Sequence, residues 1–482
     1  MMPERFEPVL REVRPLVERF SAAGERLFLV GGTVRDLMAG DQRPDFDIDA
    51  TTPARPERIK QLLSGWADAL WTQGERFGTI GAMKRFVGDD GQVVERTYEI
   101  TTHRAEAYHD HSRKPDVAFS DDIEADLSRR DFTVNAMALE LTAAEPMLVD
   151  PFGGVVDLAA RVLRTPLAPS ESFSDDPLRM LRAARFISRY RLQPEPELVA
   201  AVRAMAERLE IVSAERIRDE LDKLLTAPSP TAGLWFCVDT GLADHFLPEL
   251  PAMRLEHDPI HRHKDVLTHT LAVVENVRPR AERPERPPYD FRLTRLAALF
   301  HDVGKPRTRG FDPARGGTTF HHHDAVGARM TRKRLQALRY SNDDVDAITE
   351  LVALHLRVHT YEMGWSDSAV RRYVRDAGPY LNELNELTRC DCTTRNERKA
   401  AALSRRMDEL ELRIAELQER EALDSIRPEI DGVGVMSLLG LTPGRAVGQA
   451  LEFLLELRLD EGLIGEEAAR ERLLAWWATQ QH

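Results

Sequence analysis

Between residues 27 and 53 the chain reads LFLVGGTVRDLMAG and then DQRPDFDIDATTP. An apolar run ends in two glycines, a short amphipathic segment follows, and carboxylates then recur at every second position. The order is a glycine turn, a helix and an acidic strand. Gly31 and Gly32, between strand and helix, let backbone N–H groups approach phosphate oxygens closely, and the helix N-terminus adds favourable partial charge. Asp45 and Asp47 are two apart, so on an extended strand both project from one face. Two carboxylates aimed at one point suit hard cations such as Mg²⁺, which are usually bound through one or two carboxylates plus substrate phosphates. This order suits a chain that grips a triphosphate and holds metal ions against it.

At 482 residues the chain exceeds one ordinary core, so two to four domains are expected. Cys237, Cys390 and Cys392 form no CxxC pair, which argues for a reducing compartment and against a disulfide framework. The start MMPERFEPVLREVRP has no apolar signal core and no run is long enough to span a bilayer, so a cytoplasmic protein with no membrane partner is expected. A net charge of −14 does not exclude nucleic acid, because binding depends on local basic surfaces. In LRMLRAARFISRYRLQ, residues 178–193, Arg179, Arg182, Arg185, Arg189 and Arg191 occur with no acid among them. Such a run is either a solvated helix face or, interleaved with Phe186 and Tyr190, a surface for phosphates.

Residues 7–20 read as an opening amphipathic helix. Strand-like runs follow at 27–30, 46–50, 80–87 and 93–102, mixed with helical stretches at 33–39 and 55–65. The pieces alternate too irregularly for a doubly wound parallel sheet, so a small mixed sheet is expected. Helices are predicted over 176–190, 195–209 and 213–226, the last with Ser213 as N-cap. The Pro- and Arg-rich stretch 277–291 is too polar for a core and reads as a surface loop. Leu403, Met407, Leu410, Ile414 and Leu417 make an a/d seam short enough for an intramolecular helical hairpin. The tail then reads as a short helix, a Gly/Pro turn and a longer helix.

LVGGTVRDLMAG with PDFDID resembles the nucleotidyltransferase head of the class II CCA-adding enzymes and bacterial poly(A) polymerases, in the polymerase-β-like superfamily. The resemblance continues in order through RFGTI at 76–80, YEITTHRAEAY at 98–108, LSRRDFTVNAMAL at 127–139, DPFGGVVDL at 150–158 and SDDPLRMLRAARF at 174–186. It implies an α+β fold: a small mixed-sheet nucleotidyltransferase head over 1–160, a helical neck over 161–230, a body over 231–400 and a helical tail over 401–482. It also implies roles. Asp45 and Asp47 become the Mg²⁺-binding catalytic acids, with Glu99 as a third acid nearby. Gly31, Gly32 and Thr33 hold the triphosphate while Arg35 and Asp36 brace the turn. Arg129, Arg130, Asp131 and Asn135 contact the incoming nucleotide. Asp176 and Arg179 read its base, with Arg182 and Arg185 beside them. Asp175 stands where the family usually has Glu, and Asp49, on the same alternating face, is set aside as a bystander.

A second constellation lies between residues 257 and 391, where histidines are bunched and His301–Asp302 sits in an apolar run. Burying that pair without a ligand is costly. The pattern resembles the HD phosphohydrolase superfamily, which implies metal ligands at His269, His301, Asp302 and Asp391, with His323 and His355 added in two-metal members. Imidazoles with carboxylates suit Mn²⁺, Fe, Ni²⁺ or Zn²⁺. Lys305 is placed to pair with a substrate phosphate, and His257, His261, His263, His321 and His322 read as surface residues.

Together the two resemblances imply a template-independent tRNA nucleotidyltransferase that adds C, C and A to tRNA from CTP and ATP, with no obligate protein partner. The alternatives are a poly(A) polymerase, which often carries a basic C-terminal extension that ERLLAWWATQQH does not provide, or chiefly a metal-dependent phosphohydrolase.

Overall fold

A computed structural model describes residues 4–40, 48–87, 91, 93–107, 116–254, 265–313, 317–360, 366–393, 396–421 and 426–480. They form two compact units, residues 1–246 and 247–482. No helix among the described residues is long and apolar enough to cross a membrane.

The first unit opens with helix Glu7–Ala22, whose Val9, Val13, Leu16 and Phe20 recur at helical spacing and are buried. The strands are β1 (Phe28–Val30), β2 (Ile48–Thr52), β3 (Ala69–Trp71), β4 (Thr79–Val87), β5 (Val93–Thr102), β6 (Arg104–Ala107), β7 (Asp116–Phe119), β8 (Ala138–Glu140) and β9 (Met147–Val149). Seven of them form one sheet in the order β3-β4-β5-β2-β1-β8-β9, while β6 and β7 pair separately. Only β2 and β5 run parallel; the other neighbours are antiparallel. This is the mixed sheet expected from the irregular alternation.

One face of the sheet is core. Leu29, Ile48, Ala50, Ile80, Ala82, Tyr98 and Ile100 pack against the apolar stripe of the first helix. Glu12 ties that helix down, accepting from Arg96 Nε at 2.8 Å and from the Tyr98 hydroxyl at 3.3 Å. Because side chains alternate along a strand, Asp49 and Glu99 lie on the opposite face. On that face Phe28 and Val30 pack with Ile123, Leu127, Ala136 and Ala138. Burial on both sides explains why β1 is an uninterrupted apolar run.

His103 follows β5 and is fully buried, its ring 5.4 Å from that of Phe28, and neither ring nitrogen has a hydrogen-bond partner. Burial pulls its pKa down to about 4, against the opposing charge of Asp126. The imidazole is neutral in the fold and charges on unfolding, so stability is complete above about pH 6.5 and declines as pH falls toward 4. The loss is on the order of 3 kcal/mol. His103→Phe keeps the ring and removes the titration. Thermal melts of the variant should fall less than wild type between these pH values, and parallel curves would refute the assignment.

Helices Leu178–Tyr190, Pro196–Met205 and Ala214–Leu225 follow, with Ser213 Oγ accepting from the Arg216 amide as N-cap. The expected neck boundary at 230 does not coincide with the edge of the unit. Helix Pro230–Asp239 packs on Leu178–Tyr190, where Ser188 Oγ accepts from the Gly233 amide at 2.9 Å, so residues to Phe246 stay with the first unit.

In the second unit, helices Val266–Asn276, Phe291–Phe300, His323–Ala337, Asn342–Leu354 and Leu381–Asp391 pack together, with a surface loop at 277–290. Helix Glu397–Glu421 buries Met407, Leu410, Ile414 and Leu417. This seam packs on helices Asp367–Ala377 and Leu381–Asp391 of its own unit, so it needs no second chain. Among the described residues after Glu421 there are three helices, Gly432–Leu439, Arg445–Glu461 and Glu466–Gln480, the last of them not anticipated.

Candidate active and metal sites

In the first unit the glycine turn joins β1 to helix Gly32–Ala39. Gly31 has φ +70°, which side chains rarely adopt, so only glycine fits without strain. A Cβ at Gly31 would stand 3.5 Å from the Arg130 guanidinium and 3.5 Å from Asp49 Oδ2. Turn, arginine and acid therefore converge. Asp49 is the direct register partner of Glu99 on parallel strands, so their carboxylates stand side by side on one face. Like charges so placed repel, and a divalent cation between them relieves the repulsion. Asp45 and Asp47 lie outside the described residues.

Five of the other expected residues, Arg35, Asp36, Asn135, Asp131 and Arg182, form one hydrogen-bonded chain. Arg35 is buried, donates from Nε to Asp36 at 2.8 Å and from Nη1 to Asn135, and lies 4.3 Å over the Tyr190 ring. Asn135 donates to Asp131 Oδ1 at 2.9 Å, and Arg182 Nε donates to Asp131 Oδ2 at 2.9 Å. Burial alone would raise the Asp131 carboxyl. The charge of Arg182 and the bonds from Asn135 and Arg182 outweigh it and hold the pKa well below the usual range. Asp126, which sequence reasoning missed, is buried and ionised; its desolvation is overcome by Arg130 and Arg129. Thr33 is buried at the start of the helix after the turn.

Asp176 precedes helix Leu178–Tyr190, accepting from the Leu178 amide at 3.1 Å and from Arg216 at 2.6 Å. Arg216 had no signal in the sequence that tied it to Asp176. Arg179 is buried, bonded to Ser172 Oγ at 2.9 Å and to the Arg129 carbonyl, and Arg185 is paired with Glu220. The basic window thus directs Arg179, Arg182 and Arg185 inward, onto partners distant in sequence.

In the second unit the six expected ligands come together from five helices. His269 lies within Val266–Asn276, His301 and Asp302 just after Phe291–Phe300, His323 at the start of its helix, His355 just after Asn342–Leu354, and Asp391 at the end of Leu381–Asp391. Two sets of ligating atoms result, His269–His301–Asp391 and Asp302–His323–His355. Asp302 joins them. Its Oδ2 is 3.2 Å from His301 and 3.6 Å from His269, and its Oδ1 is 3.4 Å from His323 and 4.0 Å from His355. Asp391 Oδ1 is 2.9 Å from His269 Nε2.

Each imidazole is oriented through its other nitrogen. Nδ1 of His301, His323 and His355 meets the carbonyl three residues earlier, at 2.8, 2.7 and 2.7 Å, and His269 Nδ1 meets Thr393 Oγ1 at 2.8 Å. That leaves every Nε2 facing the centre, the arrangement outer partners impose on metal ligands. Asp302 Oδ1 is buried without a hydrogen-bond partner, a costly orphan that a cation satisfies. Burial would lower the His301 pKa, but the charge of Asp302 and the bonds to both acids raise it to about 10. The neighbouring imidazoles hold both acids well below their usual range against burial. Burial, with His301 beside it, lowers His355 to about 4. Lys305 Nζ bonds Asp302 Oδ2 at 2.6 Å. His321 and His322 are exposed at the turn before His323, while His257, His261 and His263 lie outside the described residues.

The poly A polymerase head domain family matches residues 27–164, the probable RNA and SrmB-binding site of polymerase A matches 191–253, and the HD domain matches 266–417. Both the head and the HD domain are divalent-metal folds. The A-adding tRNA nucleotidyltransferase of Deinococcus radiodurans is 35% identical over 460 residues, 94% of this chain and 95% of that protein. The CCA-adding enzyme of Streptococcus gordonii is 37% identical over 254 residues, 52% of this chain; the match spans 58% of that relative's length. The fold is also that of the Bacillus stearothermophilus CCA-adding enzyme in complex with CTP, with TM-score 0.66, 23% identity and coverage of 100% and 99% of the two chains. With a full-length match at this identity and a head, RNA-binding segment and HD domain in the same order, the chain belongs to the tRNA nucleotidyltransferases that carry a poly A polymerase head.

Proposed function

We propose that this protein completes tRNA 3′ ends without a nucleic-acid template, transferring CMP and AMP from CTP and ATP and releasing pyrophosphate. The observation that carries the reading is the meeting of the Gly31 turn, Arg130 and Asp49 beside Glu99, in a chain aligned over 94% of its length with a tRNA nucleotidyltransferase. Asp45 and Asp47 hold the metals, with Glu99 beside them. Bound Mg²⁺ ions supply activation of the RNA 3′-hydroxyl and neutralise charge on the triphosphate. The amides after Gly31 and Gly32, the Thr33 hydroxyl and the cations of Arg129 and Arg130 grip the phosphates. The chain Arg35–Asn135–Asp131–Arg182 keeps that turn rigid against the neck. Asp176, an acceptor, and Arg179, a donor, read the edge of the base, their positions held by Arg216 and Ser172.

The head over 1–160 thus carries the chemistry and the neck from 161 the choice of nucleotide. In the body, the six-ligand site holds Mn²⁺, Fe, Ni²⁺ or Zn²⁺, with Lys305 available to a substrate phosphate. Three free cysteines fit a cytoplasmic enzyme.

A second reading, addition of the final A alone, is favoured by the Deinococcus radiodurans A-adding relative, which aligns over almost the whole chain. Incorporation assays with each nucleotide separately decide between them. CMP added to tRNA lacking its terminal trinucleotide, then one AMP, is the expected result. AMP accepted only by tRNA ending in CC establishes A-addition instead, and unlimited AMP without CMP use sinks both.

A further inference from the structure

Asp126 is fully buried between two arginines and a backbone amide. Helix Ile123–Ser128 puts it there. Asp122 caps the helix, accepting from the Glu124 amide at 3.0 Å, and Ile123 and Leu127 pack with Phe28 and Val30 of β1. Residue 126 lies three positions after Ile123, so it shares the inward face. A carboxylate without access to water is costly unless charges and donors surround it. The Arg104 amide donates to Oδ1 at 3.2 Å, Arg130 Nη2 donates to Oδ2 at 3.1 Å, and Arg129 Nη2 stands 3.5 Å from Oδ1.

The guanidinium of Arg130 reaches in two directions. Nη2 is engaged by Asp126, while Nη1 is the atom that comes 3.5 Å from where a Gly31 Cβ would stand. Nε is buried and has no hydrogen-bond partner among the described residues. This planar group therefore spans from a buried acid to the glycine turn, one nitrogen anchored and another beside the turn. Through the Arg104 amide the same carboxylate is tied to the chain just after β5, the strand that carries Glu99. Read locally, Asp126 and Arg130 are an i, i+4 ion pair of small consequence. Complete burial of the acid separates this pair from that ordinary kind.

We infer that Asp126 is a positioning residue for nucleotidyl transfer: it holds the Arg130 guanidinium against the Gly31 turn, in place to receive the triphosphate, without touching the nucleotide itself. The inference rests on the nucleotidyl-transfer reading above. Its effect is blind to the base, since CTP and ATP carry the same triphosphate. The sign of the effect separates positioning from a plain field. An acid beside an anion site opposes anion binding, so neutralising a mere counter-charge tightens the triphosphate. Neutralising a positioning residue weakens it, because the arginine loses the alignment that makes its hydrogen bonds strong.

Steady-state incorporation into tRNA by the full-length protein tests it. Asp126→Asn keeps the shape and an acceptor for the Arg104 amide but removes the charge. It should raise KM for each nucleotide incorporated, CTP or ATP, about tenfold, the weight of one hydrogen bond to a charged group. The inhibition constant of inorganic tripolyphosphate should rise by the same factor, and KM for tRNA should stay within about twofold of wild type. In an Arg130→Ala background the same substitution should add less than about twofold, since it acts through Arg130. Arg130→Lys supplies a point charge that cannot pair with Asp126 and reach the turn together. It should show the same rise, and it decides the matter if thermal melts show Asp126→Asn unfolded. Unchanged or lower nucleotide KM in folded Asp126→Asn, a full loss on top of Arg130→Ala, or wild-type KM in Arg130→Lys overturns the assignment. If wild type incorporates nothing into tRNA, the parent reading falls and this one with it. If wild type incorporates and folded Asp126→Asn matches it, only the positioning role falls.

Discussion

Asp45→Ala should lower incorporation of CMP and AMP by at least about 10³-fold while leaving the circular dichroism and melting of the protein unchanged. Removing a ligand to a catalytic metal costs several kcal/mol of transition-state charge stabilisation, and about 4 kcal/mol corresponds to that factor. Asp45 lies outside the described residues. It is four positions before Asp49, whose carboxylate reaches Gly31 and stands in register with Glu99. In the sequence Asp45, Asp47 and Asp49 share the two-residue spacing that puts alternate side chains of a strand on one face. Any phosphohydrolase activity of the second unit should survive the substitution. Incorporation within tenfold of wild type would refute the metal assignment, and loss of both activities would point to misfolding.

The second large effect belongs to the other unit. Asp302→Ala should abolish binding of Mn²⁺ or Ni²⁺ by the full-length protein in calorimetric titrations, an affinity loss of at least about 100-fold. Changing an outer partner of a metal ligand already costs about 10–100-fold, and Asp302 is the residue whose two oxygens face both ligand sets. Wild type should gain melting temperature on adding metal, since a ligand that binds only the folded state stabilises it. The variant should gain none. Incorporation of CMP and AMP should stay within about twofold of wild type, because the residues assigned to transfer belong to the other unit. Wild-type metal affinity in Asp302→Ala would show that the triads are not a metal site.

Much of both sites was legible because it is written in local spacing. The Gly31–Gly32 turn, the helix after it and the strand-like runs depend on neighbours a few residues apart, and the structure places them within two residues of expectation. That six histidine and aspartate side chains of the second unit would cluster was also legible, through the resemblance of their pattern to a known one. The fate of the arginines in Leu178–Tyr190 was not. Read locally they form a basic face without acids, yet the groups that bind Arg182, Arg185 and Arg179 come from 51, 35 and 50 residues away. A charge run reveals its sign but not its partners. Arg216 on Asp176, 40 residues away, was hidden for the same reason.

The sequence by itself determined the two-residue spacing of acids and apolar residues over 45–50, and a strand of that pattern has one apolar face to bury. It equally determined that histidine and aspartate would have to meet in the second unit, since burying His301–Asp302 alone is too costly. Only the tertiary structure decided which residues stand beside those acids. Asp49, set aside from the sequence, lies against the Gly31 turn and next to Glu99, and Trp71 comes onto the same face from the sheet edge across Gly81. The reason is register. Pairing between strands far apart in the chain is chosen by the whole buried face at once, so no local stretch of sequence contains it.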